Sequence, residues 1–413
     1  MYLINSSNKI VVFIVLYISL LIGFYFGENS SGGAHPDFMM RMGIIENFKN
    51  DFLNTFLQYD SSPDRHSPII LIIISYLNIL GISFEIIRFL HLHLLPILVF
   101  ISYRCLVLKF PNNDKDIIFL ICCVFFLSPT LRSIAIWPDS RILGLVLFVF
   151  SIYFFLKFKK NNEFKNCIFN NILLIFSAYL SPNFSVFFLY FFIFYIQHFK
   201  FSKKLFIMIF SNIVMSLPML YYLFILDVNF LSTTAINDVD ILIRLNPINK
   251  ILIIFTLILF YIIPFLINQS IINDFVKNFR INELIYSLII LFISFHFFNY
   301  SPEFTGGGIF FKLSFYLFQN IYLFFLISLL SCVVILNTFK INLNNFLLLV
   351  ILIISNPQLT IYHKYFDPLL IILFFLFFDF KFSKEIFFNK KFLLNIFIFY
   401  FSFLLVNFGR LII

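Results

Sequence analysis

Apolar runs separated by short polar intervals fill almost the whole chain. They fall at Ile10 to Phe26, Pro68 to Ile82, Ile87 to Leu108, Asp116 to Leu131, Ile142 to Leu156, Cys167 to Leu180 and Phe184 to Ile196. The second half continues with Leu205 to Leu226, Ile251 to Ile267, Leu284 to Phe298, Leu313 to Leu336, Phe346 to Ile354, Pro368 to Phe378 and Phe392 to Val406. A helix of roughly 17 to 25 apolar residues crosses a bilayer. The pattern therefore predicts an all-α, polytopic integral membrane protein with about 12 to 14 transmembrane helices. Pro68 to Ile82 is short for a crossing, so it is expected as a partial or interfacial helix. One membrane domain is expected over residues 1–413, with a core module at 10–200 and further helices at 201–413.

Composition agrees: 61% of the residues are hydrophobic and 12% charged, against about 25% charged in soluble domains. The 67 phenylalanines match the bias of an AT-rich genome and carry little functional weight. The net charge of +9 does not point to nucleic acid. Its lysines cluster between apolar runs, at Lys157 to Lys160, Lys200 to Lys204 and Lys381 to Lys391, as cytoplasmic loops of membrane proteins do. The turn Asp274 to Arg280 reads the same way. Lys9 places the N-terminus in the cytoplasm and residues 28–66 outside. No small-x-small cleavage site follows the first run, so it reads as a retained helix and not a signal peptide. The five cysteines lie in or beside apolar runs without metal spacing, as buried small hydrophobes do.

The long polar interval between the first two runs holds six carboxylates (Glu28, Asp37, Glu46, Asp51, Asp60, Asp64) and two of the seven histidines. Gly32-Gly33 and Pro36 set a sharp turn there, which would hold Asp37 near the membrane surface. Asp37 is a candidate general base or an ordinary helix N-cap. Ile44 to Leu57 reads as an amphipathic surface helix. Arg65 and His66 are candidates to meet a phosphate, or interfacial anchors. The corner Arg132 to Arg141 joins Asp139 to Arg132 and Arg141. That set is an ion pair, or an acid beside a phosphate clamp, because the planar guanidinium offers two parallel donors. Trp137 there suits a membrane interface. The alternating helix faces of His91 and His93 argue against a metal pair. Gly306 to Gly308 reads as a flexible loop, without a phosphate-cradling pattern around it. His363 and Lys364 form a further candidate anion site. The corner and the loops at 299–312 and 356–367 are expected to gather on the outer face with residues 28–66.

Taken in order, these segments resemble the GT-C superfamily of polytopic glycosyltransferases that use lipid-phosphate sugars. His35-Pro36-Asp37 is similar to the start of a His-Pro-Asp-Glu motif of some mannosyltransferases. Arg65-His66-Ser67-Pro68, followed by Tyr76, Gly81 and Arg88, is similar to the His-Pro-Pro-Leu segment of many bacterial members. Ser128-Pro129 through Trp137-Pro138-Asp139 resembles their second external corner. Lys364-Tyr365-Phe366-Asp367-Pro368 resembles a late Arg-Tyr-x-x-Pro. The first three cover roughly residues 10–200. Phe38 stands where the motif's second acid would be, and Ser67 replaces a proline, which leaves sugar class and metal dependence open.

The resemblance implies an inverting glycosyltransferase of the bacterial inner membrane. Its donor would be a polyprenyl-phosphate sugar, its acceptor an envelope lipid, glycan or protein, and its site would lie on the outer face. Asp37 would act as base, and Asp139 would orient the acceptor or a cation. Arg65, His66, Arg132, Arg141, His363 and Lys364 would hold the leaving phosphate. No cofactor is assigned, with a divalent cation as an option. The alternatives are an envelope polysaccharide polymerase and a lipid or polysaccharide transporter. A transporter should carry charges and prolines at mid-membrane, whereas here the charges lie at the mouths of the runs.

Overall fold

The computed structural model describes residues 6–62, 64, 66–228, 246–267, 272, 281–356, 358 and 360–412. Arg65, the turn at 274–280 and most of the polar interval at 227–250 lie outside these residues. The described residues form helices and turns, with one isolated bridge between Phe339 and Phe380. Among the described residues, five helices are long and apolar enough to cross a membrane: Phe84–Lys109, Ser140–Asn161, Lys203–Ile225, Pro247–Leu266 and Lys390–Gly409. Lys115–Leu127 and Pro129–Ile136 make a sixth if the bent pair counts as one span. The set is compatible with an integral membrane protein. Several other expected spans are apolar helices of only 10–17 residues, Ile69–Ile79 among them. That is short for a straight crossing, so the count of 12 to 14 exceeds the helices of full length. All five cysteines are buried.

Contacts divide the chain into two compact units, Met1–Asn237 with Tyr400–Ile413, and Asp238–Phe399. The end of the chain returns to the first unit.

In the first unit, α1 (Ser6–Tyr25) leads into the polar interval. Helix α2 (Ala34–Asn50) begins ten residues before the expected amphipathic stretch and stops at Asp51. The Asp51 side chain accepts from the Asn54 amide and so starts α3 (Phe52–Leu57). The apolar face of α2, through Ile44, Ile45 and Phe48, is buried against Ile70, Leu71 and Ile74 of α4 (Ile69–Ile79). This face is thus spent on protein packing and not on a membrane surface.

The corner at 132–141 differs most from expectation. Ser128 caps the next helix by accepting from the Leu131 amide, and Pro129 takes its first position, where no amide donor is needed. The resulting Pro129–Ile136 helix bends 67° from its predecessor and is buried along its whole length. A polar surface corner is therefore replaced by a short interior helix. Arg132 is only 4% exposed there. Its Nε donates to Glu28 Oε1 at 2.7 Å, and its other nitrogens donate to Glu28, Ser19 and the Phe126 carbonyl. Gly23 makes room for this pair, since a Cβ on it would lie 2.2 Å from Glu28 Oε2 and 3.0 Å from Arg132 Nη2. Gly23→Ala is expected to destabilise the first unit by about 1–3 kcal/mol through overpacking. The check is the thermal unfolding midpoint in detergent, and an unchanged midpoint would contradict it.

In the second unit, two of the expected outer loops meet. The Gly307 amide donates to the Ile361 carbonyl at 2.9 Å, and the Thr305 and Tyr362 hydroxyls lie 2.8 Å apart. A Cβ on Gly306 would sit 2.7 Å from the Ile361 oxygen. The glycines therefore serve close backbone approach and left-handed turns (φ +88° at Gly306), not a loose loop.

Candidate functional site

The first unit gathers its chemistry around Arg41. Phe38, Arg41, Ile45 and Phe48 form one buried stripe of α2, so the helix carries a guanidinium inward with its apolar side chains. Arg41 is 2% exposed. Its Nε donates to Asp64 Oδ2 at 2.7 Å and its Nη1 to Asp139 Oδ2 at 2.9 Å. Asp139 also accepts from Arg141, whose Nε donates to Oδ1 and whose Nη2 donates to Oδ2, each at 2.7 Å. Asp139 also caps the Ser140–Asn161 helix, accepting from the Arg141 amide at 2.8 Å. Two carboxylates and two guanidiniums thus form one buried, charge-balanced chain.

His66 closes the chain toward the surface, with 22% of its side chain exposed. Its Nδ1 lies 2.7 Å from both Asp64 Oδ1 and Arg41 Nη2. A protonated Nδ1 donates to Asp64; a bare Nδ1 accepts from Arg41. Tyr59 Oη donates to the His66 carbonyl at 2.9 Å and fixes the loop.

Burial alone would raise both carboxylates. For Asp64 the charges and hydrogen bonds of His66 and Arg41 outweigh it, and the acid sits well below the usual carboxylate range. For Asp139 the charges of Arg141 and Arg41 do the same. A depressed native value means stability that is present in full above about pH 5 and lost as pH falls through the native value. The unfolding midpoint is therefore expected to fall steadily below pH 3.8, the ordinary aspartate value. A flat profile from pH 5 to pH 3 would contradict this.

The wall behind the chain is also tied down. The Arg88 guanidinium stacks 3.9 Å over Trp137, and Trp137 Nε1 donates to the Glu28 carbonyl at 2.9 Å. The His35 ring lies 4.3 Å from Trp137. His91 is buried against the Ala135 carbonyl and the Asp139 backbone, at 3.1 and 3.3 Å, whereas His93 pairs with Tyr17. Trp137 is accordingly an interior platform, 8% exposed.

Asp37 lies in the first turn of α2 and is half-buried. Its position, three residues into the helix after the Gly33 cap, is not that of an N-cap. It stands one turn before Arg41, a spacing that puts side chains side by side on a helix, about 5–6 Å apart at Cβ. The structure therefore brings Asp37, His66, Asp139 and Arg141 into one neighbourhood. It places Arg132 in a separate pair with Glu28. His363 and Lys364 belong to the second unit. His363 Nε2 lies 2.6 Å from Tyr261 Oη, and burial pushes its imidazole down to about 3, so it is uncharged at neutral pH. The Lys364 ammonium sits 4.8 Å over the Tyr362 ring.

Arg41 is the residue that reading the sequence for motifs passed over. Its signal is a charge set in the apolar stripe of an amphipathic helix. Among the described residues, no group of three or more His, Cys, Asp or Glu side chains could hold a metal ion. Asp64 and Asp139 direct their oxygens to guanidiniums instead. No protein-family model matches the chain, and no curated protein or solved structure matches it.

Proposed function

We propose that the protein is an integral membrane glycosyltransferase that moves a sugar from a polyprenyl-phosphate donor to an envelope lipid, glycan or protein on the outer face of a bacterial inner membrane. The observation that supports this reading is the buried Asp64–Arg41–Asp139–Arg141 chain with Asp37 one helical turn away. Burying two ion pairs carries a desolvation cost that apolar packing would avoid. A network held at that cost, with a half-exposed acid and a histidine at its rim, suits preorganised chemistry.

In this reading Asp37 takes the proton of the acceptor hydroxyl. The hydroxyl oxygen attacks the anomeric carbon as the bond from that carbon to the phosphate oxygen breaks. The polyprenyl phosphate leaves with the bonding electrons, and the configuration inverts. His66 and Arg65 receive the departing phosphate. Asp139 is a positioning residue that fixes Arg41 and Arg141, and Arg132 belongs to the frame. His363 and Lys364 are given no step.

The test is reconstitution of the purified protein in vesicles with synthetic polyprenyl-phosphate hexoses and an aminopentose, beside a lipid acceptor extract. Release of free polyprenyl phosphate with matching sugar transfer is expected for at least one donor. No release from any donor by protein that remains folded would overturn the proposal.

A further inference from the structure

The apolar run at 87–108 carries two histidines that take no part in the proposed reaction. His93 pairs with Tyr17. His91, 8% exposed, instead spans the turn at 137–139, where the Pro129–Ile136 helix ends and the Ser140–Asn161 helix starts with Asp139 as its cap. The last carbonyls of a helix have no partner within it. Arg88 and His91, one turn apart on the Phe84–Leu92 helix, serve two of them. Arg88 Nε donates to the Ile136 carbonyl at 3.3 Å, and His91 Nδ1 lies 3.1 Å from the Ala135 carbonyl. A carbonyl only accepts, so Nδ1 carries a proton.

The other ring nitrogen faces Asp139 alone. Nε2 lies 3.4 Å from the Asp139 amide nitrogen and 3.3 Å from its carbonyl oxygen. Bare, it accepts from the amide; protonated, it donates to the carbonyl. The charges around it are already matched: Asp139 serves Arg41 and Arg141, and Glu85 serves Arg88. A cationic imidazole would be buried without a counter-charge of its own, which is costly. The bare Nε2 is therefore favoured, and it holds the Asp139 amide. In this turn the Trp137 amide donates to the Ser133 carbonyl and Pro138 has no amide hydrogen. The Asp139 amide is thus the backbone donor left by which the turn can be held.

We propose that neutral His91, protonated on Nδ1 alone, is a positioning residue for sugar transfer, setting the turn at 137–139 and hence the direction in which Asp139 holds Arg41 and Arg141. It touches no substrate and acts through Asp139. Its effect on rate rests on the glycosyltransferase reading; its tautomer and its hold on the two arginines do not.

The test is nitrogen NMR of the full-length protein in nanodiscs, with histidine and arginine isotopically labelled. In the unaltered protein at neutral pH, His91 is expected to show a protonated Nδ1 and a bare Nε2. A proton on Nε2 would overturn the proposal. Two variants then separate the two ends of the ring. His91→Gln reaches to where Nε2 was and can still accept from the Asp139 amide. His91→Asn ends where Nδ1 was and keeps only the Ala135 contact. His91→Asn is expected to shift the Nε signals of Arg41 and Arg141. It should also lower kcat for transfer by about ten- to hundredfold, the scale of a small misplacement near reacting groups, with donor KM changed far less. His91→Gln is expected to keep those signals and to stay within about threefold of the normal rate. Arginine signals unmoved by His91→Asn, or the two variants behaving alike, would overturn the proposal. An unaltered protein that transfers no sugar would refute the reaction, and the nitrogen signals would then decide this arrangement by themselves.

Discussion

Asp139→Asn is expected to cost about 3–5 kcal/mol of stability, the usual penalty for removing one partner of a buried ion pair. The side chain is almost the same size, so packing does not explain the loss. Asp139 accepts from Arg41 on one side and Arg141 on the other, and the three residues are 1%, 2% and 6% exposed. Neutralising it leaves a guanidinium charge in excess where water cannot reach. Adding Arg141→Gln should recover part of the loss, with a coupling of about 0.5–3 kcal/mol between the two sites. Unfolding followed by fluorescence in detergent measures both. A loss under about 1 kcal/mol for the single variant would show that the cluster does not depend on its carboxylate.

Asp37→Asn is the converse case. It should cost less stability than Asp139→Asn, because Asp37 is half-buried whereas Asp139 is 1% exposed. Under the proposed reaction it should lower sugar transfer by about 10²–10⁴-fold, the contribution of a positioned general base. Donor binding should change far less, since a base acts on the acceptor. Transfer at the normal rate, with normal expression, would remove Asp37 from the mechanism. Asp139→Asn lowers stability and transfer together; Asp37→Asn separates them.

The long helices were legible because apolar length is a local property. The run Ile142 to Leu156 falls inside the Ser140–Asn161 helix, and Leu205 to Leu226 ends one residue beyond the Lys203–Ile225 helix. The shorter ones were misjudged in length, since a polar residue or a proline ends a helix without ending an apolar run. Ser128-Pro129 shows the limit well. The pair signals a helix start, but nothing nearby says that the helix turns inward. Asp37, His66 and Asp139 stood out by residue type. Their common partner Arg41 did not, because a lone arginine in a surface loop is unremarkable until its helical neighbours prove to be buried. The pairings of Arg41 with Asp139 and of Glu28 with Arg132 span 98 and 104 residues, beyond the reach of any spacing rule.

Those spans also set an order of assembly. Chains grow at about 5–20 residues per second. For roughly the next 5–20 seconds after Arg41 and Glu28 emerge, Glu28 lacks Arg132 and Arg41 lacks Asp139, although Asp64, the other carboxylate on Arg41, follows 23 residues after it. Glu28 must stay hydrated in that interval, and Arg41 has only Asp64 and His66 to pair with, so the charged chain under α2 is complete only when Asp139 arrives. The first polar loop then closes in two steps, the second when the bent helix and the residues just after it arrive.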